Sequence, residues 1–298
     1  MWIQSFIDYL KFEKNYSEKT ISVYRTDLEA FRQFCRTLSD DLTWETLDKD
    51  VIRQWIVQMM DKGQRAASVN RRLSAIRSFY KFLLRRKLVS HDPSYSIVGP
   101  KKEKPLPVYL RESEMNRLLD DVQFADDFTG RRDRMILLMF YSTGIRVSEL
   151  TGLDLNNVDL GLQQLKVTGK RNKQRVIPFG DEMSQALTDY LEARSEFSAV
   201  HVASETALFL NERSGKRISV GKVYKIVRHY LSLVTTQKKR SPHVLRHTFA
   251  TSMLNHHADL QSVKELLGHE SLSTTEIYTH TSFEELKEMY NMAHPRAK

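Results

Sequence analysis

The stretch "QQLKVTGKRNKQRVIPF", residues 163–179, decides the fold class. Two short strand-like pieces, around Leu165–Thr168 and Gln174–Pro178, flank the turn-prone run Gly169-Lys170-Arg171-Asn172. That pattern predicts a β-hairpin. Around it the apolar residues recur at helical spacing over 130–143, 181–195, 219–234, 243–257, 259–267 and 283–291. One small sheet among many helices predicts a mostly α, α+β domain.

Upstream of the hairpin lies "DPSYSIVGPKKEKPLPV", residues 92–108, which holds four of the seven prolines. Proline removes a backbone donor and disfavours helix in the residue before it. The stretch reads as a linker over 91–107, separating a segment 1–90 from a segment 108–298. The first segment is helical by pattern. "SEKTISVYRTDLEAFRQFCRTL" offers Ser17 as an N-cap, followed by Ile21, Tyr24, Leu28, Phe31, Phe34 and Leu38 every three or four residues. "DVIRQWIVQMMDKG" repeats the logic, with Gly63 as a C-terminal stop. "SVNRRLSAIRSFYKFLLRRK" follows, with Leu73, Ile76, Tyr80 and Leu83 on its buried stripe.

From Lys62 to His91 there are nine Lys and Arg and no Asp or Glu, which fits either a solvated helix face or a surface that tracks phosphates. Arg65, Arg71, Arg72, Arg77 and Lys81 are the DNA-binding candidates on it. The formal net charge of +9 over 298 residues favours a polyanionic partner such as nucleic acid. A lone cysteine, Cys35, excludes a disulfide framework and a Cys-rich zinc site. No apolar run approaches the roughly 18 residues of a membrane span, and the first residues do not form a signal peptide, so a cytoplasmic protein is expected.

A second stretch raises the chemical question. "SPHVLRHTFATSML", residues 241–254, is apolar enough for a core helix, yet His243, Arg246 and His247 share one of its faces at i, i+3 and i+4. Zinc does not explain it. The spacing lacks the Glu of H-E-x-x-H, and Arg246 would put a fixed cation where a cation must bind. Phosphate-loop and dinucleotide motifs are missing, as is a serine-nucleophile elbow. Arg is the fixed-charge, bidentate ligand of phosphate. Another isolated Arg, Arg146, follows Gly144 in "STGIRVSELTGL" and needs an anion, either a bound one or Glu149 in a salt bridge. "LLGHESLSTTEIYTH" adds His269 and Tyr278, nine residues apart.

The ordered set R…K…H-x-x-R…H…Y resembles the tyrosine recombinase (phage integrase) family. "TGIRVSEL", "TGKRNKQRVIP", "HVLRHTFAT", "LLGHESLSTTEIYTH" and the tail "AHPRAK" are similar to its Xer subgroup in particular. The resemblance covers essentially the whole chain. It implies a helical, SAM-like core-binding domain at 1–90 and a catalytic domain at 108–298, together forming a C-shaped clamp on DNA. It implies catalytic roles for Arg146, Lys170, His243, Arg246, His269 and Tyr278, with His247 left as structural. Lys170 is preferred over Lys173 because it follows the turn glycine, although Arg171 stands where Xer proteins usually carry glycine.

On that resemblance, Tyr278 attacks a DNA phosphodiester to give a 3′-phosphotyrosyl link and a free 5′-hydroxyl. A phenol with an unperturbed pKa of about 10 needs a positive pocket and a nearby base. Arg146 and Arg246 would stabilise the charge on the nonbridging oxygens. Lys170 would protonate the departing oxygen, His243 would exchange a proton with Tyr278, and His269 would donate to the phosphate. No metal, ATP or other cofactor is implied. The implied partners are a double-stranded DNA recombination site, a tetrameric synapse with itself or a paralogous recombinase working through a Holliday junction, and a DNA-translocase activator. Resolution of chromosome or plasmid dimers at segregation is the role expected. A mobile-element integrase or excisionase and a type IB topoisomerase are the rivals. The stripe Phe283, Leu286, Met289 and Tyr290 in the tail fits either closure of its own core or, as the resemblance implies, docking on a neighbouring protomer, and docking is the expectation.

Overall fold

The computed structural model describes residues 2–102, 107–169, 172–201, 205–268 and 283–297. The chain divides into two compact units, Met1–Pro105 and Leu106–Lys298. Among the described residues no helix is long and apolar enough to cross a membrane.

The first unit is helical. Helix α1 (Trp2–Asp8) runs on as a π-helical turn, Tyr9–Glu13, and is followed by α2 (Glu18–Leu38), α3 (Lys49–Asp61) and α4 (Ala66–Arg85). The caps are sequence-encoded. The Ser17 side chain accepts from the Thr20 amide at 3.3 Å, and Asp48 accepts from the amides of Asp50 and Val51 at 2.8 and 3.0 Å. Gly63 takes the left-handed conformation just past α3. Leu73, Ile76, Tyr80 and Leu83 are buried against Phe6, Leu28, Phe31 and Trp55, as the stripe on α4 predicts. Leu38, expected on the buried face of α2, is instead 45% exposed, because the helix ends there and its last turn reaches past the core.

The second unit is built around α6 (Phe128–Thr143), which is buried without interruption from Met135 to Thr143. A helix apolar all round has to be enclosed by others. Helices α8 (Asp181–His201), α9 (Val220–Val234) and α10 (Pro242–Asn255) pack on it, with α5 (Glu112–Asn116) and its π-helical extension Arg117–Asp121 beside them. Helix α7 (Val147–Thr151) leads to an antiparallel sheet of β1 (Val158–Asp159), β2 (Gln164–Thr168) and β3 (Gln174–Pro178) in that order. Leu165 pairs with Ile177 and Val167 with Arg175, so Leu165, Val167 and Ile177 are buried together. The sequence signals the β2–β3 hairpin but not β1, whose two residues are too few to show a period.

Helices α11 (Leu260–Leu267) and α12 (Phe283–Ala293) complete the unit, and both pack on α10 and β3. The tail corrects an expectation. The stripe read as a neighbour-docking surface packs within its own unit: Tyr290 is fully buried, and Leu286 and Met289 lie against the core. The residues after it are fastened too. The Asp181 amide donates to the Ala297 carbonyl at 3.1 Å, and Arg296 donates to Glu182 at 2.7 Å.

Candidate active site

Helix α6 ends at Gly144, whose φ of +57° is a conformation natural to glycine. A Cβ there would lie 2.4 Å from the ring of Phe249, so the turn also needs glycine's lack of bulk. The reversal sets Arg146 at the head of α7. Glu149, three residues on, accepts from the Arg146 backbone amide at 2.9 Å and from its Nη1 at 2.8 Å. The salt bridge weighed from the sequence therefore exists, but it is not closed on itself.

Arg175 reaches the same carboxylate from β3. Its Nη1 and Nη2 donate to the two Glu149 oxygens at 2.8 and 2.9 Å. The Glu149 side chain is 2% exposed. Burial alone would raise its pKa, but hydrogen bonds and charge from Arg175, and then from Arg146, hold the carboxyl down at about 2.

Arg246, buried on α10, donates from Nη1 to the Gly144 carbonyl and from Nη2 to the Leu267 carbonyl. Burial pulls its pKa down to about 9, with the charges of Arg146 and Arg175 acting the same way and Glu149 opposing them. The three arginines share one platform. Arg175 Nε donates to the Leu266 carbonyl at 2.9 Å, Arg246 to that of Leu267, and Arg146 Nη2 to that of Gly268 at 2.8 Å. These carbonyls end α11, where they lack intrahelical partners and carry the negative end of the helix dipole. Two of the three guanidinium groups bind Glu149 and the third, that of Arg246, binds only carbonyls among the described residues, leaving an excess of positive charge suited to an anion such as a phosphodiester.

His243 and His247 are exposed on the same helix that carries Arg246. His247 has its pKa lowered by partial burial and by the charges of His243, Lys239 and Arg246. Lys170, His269 and Tyr278 lie outside the described residues. The described residues just before Lys170 and His269 stand at the arginine cluster. Gly169, next before Lys170, packs so that a Cβ on it would be 3.2 Å from Glu149 Oε1. Gly268, next before His269, gives its carbonyl to Arg146.

Arg175 is a member of the cluster that sequence reasoning misses. Period-2 alternation on β3 puts it on the side of Ile177, the inward face, and an inward arginine is the one available signal. In the first unit, three of the DNA-binding candidates have partners in their own unit. Arg71 pairs with buried Asp27. Arg72 lies 3.6 Å from the same carboxylate and 5.9 Å from the Trp55 ring, and Arg77 donates to the Ile97 carbonyl. Arg65 and Lys81 are exposed.

Comparison with known proteins identifies the family. The phage integrase family matches residues 108–285, and the phage integrase N-terminal SAM-like domain matches residues 3–87. The tyrosine recombinase XerC of Chlorobaculum tepidum is 37% identical, covering 99% of this chain and 95% of its own. The tyrosine recombinase XerD of Staphylococcus epidermidis is also 37% identical, covering 99% of both chains. The crystal structure of the XerH site-specific recombinase bound to difH, a pre-cleavage complex, shares the fold at a TM-score of 0.69 and 22% identity, covering 96% of this chain and 83% of that one.

Proposed function

The chain belongs to the phage integrase family, and we propose that it resolves chromosome or plasmid dimers by strand exchange at a specific DNA site. It is a site-specific tyrosine recombinase, an enzyme that breaks and rejoins DNA. The observation that carries the chemical reading is the convergence of Arg146 and Arg246 on adjacent carbonyls of α11. Two fixed cations held there can take the nonbridging oxygens of a scissile phosphate and stabilise the charge that grows on them.

In the proposed reaction the Tyr278 oxygen attacks phosphorus and the bond from phosphorus to the 5′-oxygen breaks. The phenol proton passes to His243. Lys170 supplies a proton to the departing oxygen, and His269 donates a hydrogen bond to the phosphate. The phosphotyrosyl bond keeps the energy of the phosphodiester, so a 5′-hydroxyl from another strand reverses the step and yields a Holliday junction. Exchange between two duplexes requires four protomers, of this chain or of this chain with a paralogue.

The test is covalent capture. The protein is mixed with a pool of nicked duplexes of randomised sequence, and the DNA that stays attached through denaturing gel electrophoresis is sequenced. A recurrent site, joined by its 3′-phosphate to Tyr278, is expected. Attachment to another residue would overturn the assignment. Two captured sites in direct repeat on a supercoiled plasmid should then yield two circles. Relaxation without paired sites would indicate a topoisomerase, and exchange only between unlike sites would indicate a mobile-element integrase.

A further inference from the structure

Glu149 presents a carboxylate with room for about four hydrogen bonds, two at each oxygen. All four positions are filled. Oε1 accepts from Nη1 of Arg146 and Nη1 of Arg175; Oε2 accepts from the Arg146 amide and Nη2 of Arg175. The fork of Arg175 therefore spans both oxygens, while the Arg146 guanidinium meets the carboxylate through Nη1 alone among the described contacts. A bidentate Arg–carboxylate pair is the preferred geometry for both groups. Without Arg175 across it, Glu149 could close such a pair with Arg146, and that would turn Arg146 away from a phosphate. Arg175 is itself tied down, through Nε to the Leu266 carbonyl and by its place on β3 opposite Val167.

We infer that Arg175 is a positioning residue for cleavage: by occupying both oxygens of Glu149 it fixes the direction in which Arg146 points its guanidinium. This rests on the reading of Arg146 as a phosphate ligand. Arg175 acts through Glu149 and touches no reacting atom. The low pKa of Glu149 accords with the arrangement, because the carboxylate stays charged and keeps its orienting bonds throughout the working pH range.

The substitution that separates a fork from a mere charge is Arg175→Lys. The substrate is the nicked duplex recovered by capture, made with an ordinary scissile phosphate, with a neutral methylphosphonate, or with a 5′-bridging sulfur. Arg175→Lys should bind the duplex with unchanged affinity in a gel shift but cleave the ordinary phosphate about 10²-fold more slowly in a single turnover, the scale set by a misplacement of about 1 Å. The defect should shrink markedly on the methylphosphonate, where there is less charge for Arg146 to meet. It should persist with the sulfur leaving group, which departs without a proton. Rescue by sulfur alone would move Arg175 to the hairpin and its proton, and overturn the inference. So would an equal defect on the phosphate and the methylphosphonate, or none at all. Thermal unfolding of Arg175→Lys and of a second variant, Arg175→Gln, accompanies the assay, and loss of the folded state in both would make Arg175 a folding residue only. If the unaltered protein forms no adduct, the recombinase chemistry itself fails. If it does and Arg175→Lys matches it, only the role of Arg175 fails.

Discussion

Arg146 and Arg246 donate to the carbonyls of adjacent residues, Gly268 and Leu267, at the end of one short helix. They lie 100 positions apart in the chain, both upstream of that helix, and the helix end brings their guanidinium groups to one place. The same end carries on directly into His269 and, nine residues later, Tyr278. On the proposed function, the two phosphate ligands hold the helix end from which the chain runs on to the nucleophile.

Alanine at Arg146 or Arg246 should cost about 2–4 kcal/mol of transition-state stabilisation, the loss seen on removing comparable oxyanion donors. Single-turnover cleavage of the captured site, compared with gel-shift affinity, separates the possibilities. A rate that falls only as far as binding falls would make these arginines binding residues rather than catalytic ones. Arg246→Ala should also lower the melting temperature, because it leaves the buried carbonyls of Gly144 and Leu267 without their donor.

Gly144→Ala should destabilise the second unit by about 1–3 kcal/mol, from the left-handed backbone and the displacement of Phe249 together. Cleavage should drop further than stability does, since the Gly144 carbonyl is a ligand of Arg246. A variant with unchanged melting and unchanged cleavage would show that the Phe249 ring moves aside at no cost.

Much of this arrangement is legible in the amino-acid sequence. The helical stripes of α2 and α4 and the β2–β3 hairpin follow from apolar period, cap residues and turn residues, which are local. The grouping of His243, Arg246 and His247 on one face follows from 3.6 residues per turn. Strand β1 is too short to carry a period. Arg175 escapes because its meaning depends on a partner 26 positions away, Glu149, and on the helix end at Leu266. The tail misleads for a related reason. An apolar stripe on a terminal helix reads the same whether it closes its own core or a neighbour's, and only the burial of Tyr290 and the bonds of Arg296 decide for its own.

The basic helix α4 should divide by partner. Arg65→Ala with Lys81→Ala should flatten the plot of log affinity against log salt by about two, one for each phosphate left without its cation. Arg77→Ala should leave that slope nearly unchanged and lower the melting temperature, because its guanidinium is bound to the Ile97 carbonyl. A slope unchanged in the double variant would mean that these two side chains meet solvent rather than DNA.

His294 should make the second unit sensitive to mild acid. It is 4% exposed, stacked on Tyr290 at 5.0 Å between ring centroids, and lies 5.1 Å from the ring of Tyr141. Its Nε2 is 3.1 Å from the Tyr141 carbonyl, and its Nδ1 accepts from the Arg296 amide at 3.1 Å. Those partners fit the neutral ring with its proton on Nε2; a second proton on Nδ1 would break the bond to Arg296. Burial drives the pKa down to about 4, with the charges of Arg296 and His256 adding to it and the Tyr141 carbonyl opposing. An unfolded chain takes up that proton near pH 6.5 and the folded one near pH 4, so between these values the unfolded state binds more protons. Stability is then full above about pH 6.5 and declines as pH falls toward 4, by about 3 kcal/mol over the whole window. Melting temperatures of the unaltered protein and of His294→Gln, which keeps a donor and an acceptor but does not titrate, should diverge across that range. The unaltered protein should lose stability more steeply as the pH drops. Parallel curves would mean that His294 is protonated in the folded state at little cost, and that the tail is packed more loosely than its burial indicates.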